Sequence, residues 1–205
     1  IVDFLVTEAS EAQGGGFVLD VPLVLAQALA DKLKFYKLRA KVTVENLSAQ
    51  LGVLAVWDGA PSVKPDLAFA DPRDPQLGWR MFVPDDLAAD TAAAIGADLG
   101  DSEAYEAHRI ACGAPRGGAD FLYGDAFPHE ANMDRLHGID FDKGCYVGQE
   151  VVSRMQHRGT ARTRIVRVTF GAAAPETGLP VTADGKPVGT MGSSANGAGL
   201  ALLRI

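Results

Sequence analysis

The chain runs to 205 residues, 47% hydrophobic and 22% charged, with 19 Lys and Arg against 26 Asp and Glu for a net charge of −7. That describes a globular protein of one or two domains with a sizeable core, and the acidic balance argues against a general nucleic-acid binder, which needs a basic surface. Two cysteines 33 residues apart make no disulfide framework and lack zinc-site spacing, and no apolar run nears the roughly 20 residues of a membrane span.

Reduced thiols in a cytoplasm-like compartment are the expectation. Both ends, at Ile1 and Ile205, fall inside apolar runs, so a piece of a longer protein is expected.

In chain order, "IVDFLVTE" (1–8) and "FVLDV" (17–21) read as strands joined by a turn holding Gly14, Gly15 and Gly16. Pro22 opens a helix whose buried face is expected at Leu25, Leu29, Leu33 and Tyr36. "KVTVENL" (41–47) and "LGVLAVW" (51–57) read as further strands. Residues 58–76 hold Pro61, Pro65, Pro72 and Pro75 and read as loop around a short strand at 67–70.

A repeat then shows. "GFVLDVP" (16–22) runs into a helix, and "GWRMFVP" (78–84) does the same into "DDLAADTAAAIGA". Upstream, "DFLVTEA" from Asp3 corresponds to "DLAFADP" from Asp66. Two related strand–strand–helix halves fit this, as does the plainer fact that any hairpin feeding a helix looks alike. A second helix is expected at 102–112, capped by Asp101 or Ser102 and ended by Gly113. Residues 113–144 are irregular. From Arg162 the alternation of Val166, Val168 and Phe170 with Arg167 and Thr169, and an Asp184-Gly185 turn, predict a small all-β tail.

Three constellations carry candidate chemistry. In "KGCYVGQE" (143–150), Val147, Val151, Val152 and Met155 space as one helix face, which puts Cys145 at or just before a helix start, two residues after Lys143. Free N–H groups and a cation favour a thiolate; the alternative is a small residue filling a glycine turn. Cys112 shares a helix face with Tyr105 and Ala104 and reads as core. In "FPHEANMDRL" (127–136), Glu130 is placed to accept paired donors from a ligand edge, or simply starts a helix. The stretch "SRMQHRGTARTRIVR" (153–167) carries Arg154, Arg158, Arg162, Arg164 and Arg167 with no acid among them. It suits a polyanionic ligand tail, an acidic neighbour or an RNA backbone, or is a solvated face. His108, His129, His137 and His157 show no ligand spacing with the cysteines, and no metal site is expected. No P-loop, Gly-rich nucleotide loop or serine nucleophile elbow occurs.

"KGCYVGQE", preceded by "PHEANMDRLHGIDFD", resembles the signature of the YgfZ family of folate-binding proteins, relatives of the glycine-cleavage T-protein (aminomethyltransferase). Lys143, Gly144, Cys145, Tyr146, Gly148, Gln149 and Glu150 carry the motif, and "KLRAKVTVE" (37–45) is similar too. The resemblance implies an α+β fold: two related halves of the T-protein-like type plus a small C-terminal β-barrel module. Residues 1–47 would be the remainder of the first half, 48–160 the second half with the motif, and 161–205 the barrel module. It also implies a tetrahydrofolate site with Glu130 on the pterin and Arg154 or Arg158 towards the glutamate tail. Cys145 becomes the working thiol of an accessory protein for iron–sulfur cluster assembly or repair, its clients including tRNA-modifying enzymes. Partners would then be assembly proteins or cluster enzymes, with direct RNA binding and membrane association not expected. The location would be cytoplasmic, or mitochondrial in a eukaryote. The rival is a folate-dependent aminomethyltransferase or demethylase. Against it, the acidic pair of those enzymes corresponds here to Asp3-Phe4, with one acid gone.

Overall fold

The computed structural model describes residues 2–63, 66–159, 161–171 and 173–205, with the backbone alone at Arg158. Ile1, Pro65 and the Arg158 side chain, each named above, lie outside the described residues. The chain forms two compact units, one made of the chain to Asp71 with Gly78–Leu99, the other of Pro72–Leu77 with Gly100–Ile205.

In the first unit β1 (Leu5–Glu8) and β2 (Phe17–Asp20) form an antiparallel hairpin, Leu5 opposite Asp20 and Glu8 opposite Phe17. Pro22 caps α1 (Leu23–Tyr36), as its fixed φ and missing N–H allow. The buried stripe of α1 is Ala26, Leu29 and Ala30, one position round from the expected face, and Tyr36 is exposed. Residues 41–47 are irregular rather than a strand. Val42 and Val44 alternate with polar residues, but no neighbouring strand among the described residues offers a ladder, and a strand needs one.

β3 (Gly52–Val56), β4 (Ala68–Ala70) and β5 (Trp79–Val83) make an antiparallel sheet in the order β3-β5-β4. Ala68, Met81, Val83 and Ile95 close its core. Pro84 leads through a single 3-10 turn into α2 (Ala88–Ala94). A hairpin passing through proline into a helix therefore occurs twice. Arg80 of β5 pairs through Nε with Asp20 of β2, and its Nη1 lies 4.0 Å from the buried carboxylate of Asp71.

The second unit opens with α3 (Ser102–Ala111), where Asp101 Oδ1 accepts from the Ala104 N–H at 2.8 Å. After a long irregular stretch comes α4 (Gln149–Arg158). The tail is an antiparallel sheet of β6 (Thr163–Thr169), β7 (Pro180–Ala183), β8 (Lys186–Ala195) and β9 (Ala198–Arg204), ordered β6-β9-β8-β7. Asp184-Gly185 turns β7 into β8 with φ of 51° and 74°, the primed geometry that matches strand twist. Asn196-Gly197 repeats it between β8 and β9, at 50° and 77°. Ile110, Phe121, Ala131, Ile165 and Leu200 form the core. On β6 the deepest residue is Ile165, opposite in phase to the half-buried Val166 and Val168, because α3 and the 121–131 stretch cover that face.

One guanidinium ties this unit together. Arg109, 2% exposed, sends Nε to both Glu106 oxygens at 3.0 Å, Nη1 to Asp120 Oδ2 (2.9 Å) and Ala114 O (3.0 Å), and Nη2 to Glu106 (2.6 Å) and Ser193 Oγ (2.8 Å). Asp120 in turn accepts from the backbone N–H of Arg116 and of Ser193. The carboxylate packs so closely on β8 that a Cβ at Gly192 would meet its Oδ1 at 2.4 Å. Burial works against the charge of Arg109, yet the hydrogen-bonded Glu106 and the field of Asp120 outweigh it and raise the guanidinium's pKa.

Removing one partner from such a buried network leaves an uncompensated charge, which costs about 3–5 kcal/mol. Arg109→Met is expected to lower Tm by roughly 10 °C in thermal denaturation followed by circular dichroism. Arg109→Lys, which keeps the charge but not the fork, should fall between. A Tm unchanged in Arg109→Met would show that the cluster does not hold the unit.

Candidate functional site

The segment 127–137 is docked on the outer edge of β6. The Ile165 N–H donates to Glu130 O at 2.9 Å, and Asn132 Nδ2 donates to Ile165 O at 2.7 Å. Asn132 reaches it from a left-handed conformation, φ 59°, which asparagine tolerates. Arg164 grips Asp134 with two parallel bonds, 2.9 and 2.8 Å, and also donates to His129 O at 2.9 Å. Such fork-on-fork pairs are strong and directional. Burial opposes ionisation of Asp134, but the Arg164 hydrogen bond and charge prevail and hold its carboxyl below the ordinary range; Arg164 is raised in return by the same bond.

Glu130 belongs to this clamp. Its Oε2 accepts from the Phe127 N–H at 3.0 Å, closing a turn, and its Oε1 accepts from the Thr163 hydroxyl. Each oxygen keeps a second lone pair. His129 is 1% exposed, its Nε2 3.2 Å from Gln156 Oε1 on α4 and its ring tilted against Phe141.

The motif loop is held at both ends. Asp140 Oδ1 accepts from the N–H groups of Asp142 (2.9 Å) and Lys143 (3.1 Å), while Lys143 Nζ stands 4.8 Å from the centre of the Tyr146 ring. Tyr146 N–H donates to Gln149 Oε1 at 3.1 Å, and the Gln149 N–H returns to Tyr146 O at 3.2 Å. Gly148, φ 91°, caps α4. The helix therefore begins at Gln149. Val147, expected on its buried face, is fully exposed in the loop, and Val152 is the residue that packs inward. Cys145 lies between the two fastened ends and is exposed.

Beside α4 runs an open groove of about 990 Å³, lined by Phe141, Lys143, Tyr146, Gln149, Glu150 and Arg154, with the carboxylates of Asp140 and Asp142 among its other walls. Gly144, Cys145, Gly148 and Glu130 are not among its walls, so the residues expected at a folate site are brought only partly together. The run of arginines divides. Arg164 is committed to Asp134, and Arg167 donates to Ala111 O at 2.6 Å, while Arg154 and Arg162 face solvent. Arg164 thus has an acid, one that its own stretch of sequence does not contain. Cys112 sits half-buried at the end of α3 with its sulfur 3.7 Å from His108 Nε2. The clamp roles of Asn132 and Asp134 had no local sequence signal, since their partners lie about thirty residues away.

Asp134 stabilises the fold while ionised. Because its folded pKa is lowered, that contribution is complete above the ordinary aspartate range near pH 4 and is lost as pH falls through the lower, folded value. Asp134→Asn is expected to cost about 2 kcal/mol at pH 7. In denaturation curves from about pH 7 to 2, the gap between wild type and variant should narrow towards the acid end, below the ordinary aspartate range.

Residues 162–205 match the family model described as CAF17, C-terminal beta-barrel domain. Over 204 residues the chain is 34% identical to the human protein named iron-sulfur cluster assembly factor IBA57, mitochondrial, covering 92% of this chain and 56% of that one. The homologue of that name from Mycosarcoma maydis is 38% identical over 157 residues, 75% of this chain and 38% of that protein. The Pyricularia oryzae homologue is 34% identical over 229 residues, 98% and 58%. The chain spans about half the length of the curated relatives it matches.

Proposed function

We propose that this chain, homologous over most of its length to proteins named iron–sulfur cluster assembly factors, acts in iron–sulfur cluster assembly with Cys145 as its working thiol. The observation that carries the reading is the similarity to the human and fungal factors, together with an exposed cysteine in the K-G-C-Y-V-G-Q-E loop. A loop fastened at Asp140 and at Tyr146–Gln149 presents that sulfur in one place without burying it. A cysteine sulfur so presented can ligate iron or meet the thiol of a partner.

Among the described residues no three His, Cys, Asp or Glu side chains gather as a metal site. In this reading Cys145 supplies one ligand to a cluster in transit, and the protein that gives or receives the cluster supplies the rest. Enzymes that modify tRNA are among the cluster clients the reading admits. The relatives are named as mitochondrial, which makes the mitochondrion the expected setting in a eukaryote. No helix among the described residues is long and apolar enough to cross a membrane.

A reduced folate is the proposed ligand. The rings of Phe141 and Tyr146 and the cations Lys143 and Arg154 along the groove suit a flat heterocycle with an anionic glutamate tail. Bound, a reduced folate would bring a nitrogen able to carry one-carbon units.

Two measurements test this. Cys145→Ser, supplied as full-length protein to cells lacking it, is expected to abolish recovery of cluster-enzyme activity while shifting Tm by no more than about 1 °C, as exposed substitutions do. Full recovery with the serine variant overturns the thiol's role. Calorimetric titration with tetrahydrofolate should show saturable binding that Arg154→Ala weakens about tenfold, the scale of one charge-assisted contact. A wild-type titration without heat removes the folate and leaves the thiol reading in place.

A further inference from the structure

The buried imidazole of His129 sits where three parts of the second unit meet. Its ring hydrogen-bonds Gln156 of α4 at 3.2 Å and lies against Phe141, just ahead of the motif loop. Its backbone carbonyl accepts from Arg164 of β6. Its Nδ1 is fully enclosed and has no hydrogen-bond partner among the described residues. Buried polar atoms are nearly always paired, so an orphan calls for an account.

The pairing with Gln156 supplies one. Oε1 of Gln156 accepts only, so Nε2 carries the imidazole proton and Nδ1 is a bare lone pair. A bare acceptor in an apolar setting is tolerated at modest cost. A second proton would place an N–H donor, and a full charge, where nothing accepts it.

We infer that His129 is a protonation-sensitive pin: as the neutral imidazole it fastens α4 to the segment docked on β6, and on protonation it lets α4 and the loop bearing Cys145 loosen. This is a regulation of the site proposed above and rests on that reading of the motif. The charges around the ring oppose one another. From β6 comes Arg164, which opposes a second cation, and from the ring's own segment comes Asp134, which favours one. The two are locked to each other by a bidentate pair. Phe141 brings a ring and no charge, and α4 offers the neutral amide of Gln156. Also on α4, Glu150, Arg154 and His157 are exposed and lie outside the packed junction.

The test is hydrogen exchange read by mass spectrometry on the full chain, at about pH 8 and about pH 5.5, either side of the ordinary histidine value near 6.5. Protection factors are corrected for the intrinsic pH dependence of exchange. Asp134 stays ionised across this interval, since its carboxyl titrates below the ordinary range. In the wild type, protection over residues 149–158 is expected to fall about tenfold at the lower pH while α3 stays level. His129→Gln, which keeps a donor and does not titrate, should be flat. Gln156→Glu gives the imidazolium a carboxylate and should remove or reverse the fall.

Wild-type protection constant within about twofold overturns the pin, and so does an equal fall in His129→Gln. Should His129→Gln lose its cooperative melting, Gln156→Glu carries the test, and a wild-type acid response in it overturns the inference. Exchange needs neither folate, cluster nor partner. A failed pin is therefore told apart from a failed function, which is read in the recovery of cluster enzymes.

Discussion

Five N–H donors of one enclosed guanidinium, Arg109, set the geometry of the second unit. Three pieces of chain that are distant in sequence converge on it: α3 itself, the 114–120 turn and Ser193 on β8. None of the carboxylates involved gains from burial by itself, because desolvating a charge is costly; each is stable there only because the fork is fully matched. The position is thereby all-or-none. Ile110, next in sequence, carries the apolar side of the same junction into the core with Phe121 and Leu200. Polar matching and apolar packing thus specify one seat for α3 on the sheet.

A second polar junction, between β6 and residues 127–137, decides where the motif loop can begin. Glu130, Asn132 and Asp134 all direct their side chains to β6, on Thr163, on Ile165 and on Arg164. With that segment committed, the chain must leave it near Gly138 and reach α4 through the 140–148 loop. Cys145 is at an exposed part of the loop. The sulfur's exposure follows from the docking of residues ten to fifteen positions upstream rather than from any preference of cysteine for solvent. Glu130 has an architectural task whatever else it does.

The sequence was most informative where a residue acts on its immediate neighbours. Pro22 before α1, Asp101 as the cap of α3 and Asp184-Gly185 between two strands all work within three or four residues, and each stands where the local chemistry puts it. Asn196-Gly197 carried the same signal. Residues 41–47 show the limit from the other side: a good strand pattern remains irregular without a neighbouring ladder. Val147 shows another, since Gly148 in the left-handed region starts α4 too late to include it. The arginine run misled for a third reason. Its local stretch contains no acid, but the acid that matters to Arg164 arrives from 30 residues upstream.

The docked segment also has a protective effect. β6 is the outermost strand of its sheet, and outermost strands invite foreign strands to add to them. At Ile165 both outward backbone groups are already taken, one by a main-chain carbonyl and one by an asparagine amide. At the opposite border β7 is short, begins with a proline and carries a bulge. The sheet is therefore blunted on both sides. Any lesion that detaches residues 127–137 would uncover a ready template for intermolecular β-addition, so a defect in this segment would surface as insolubility before it surfaced as lost chemistry.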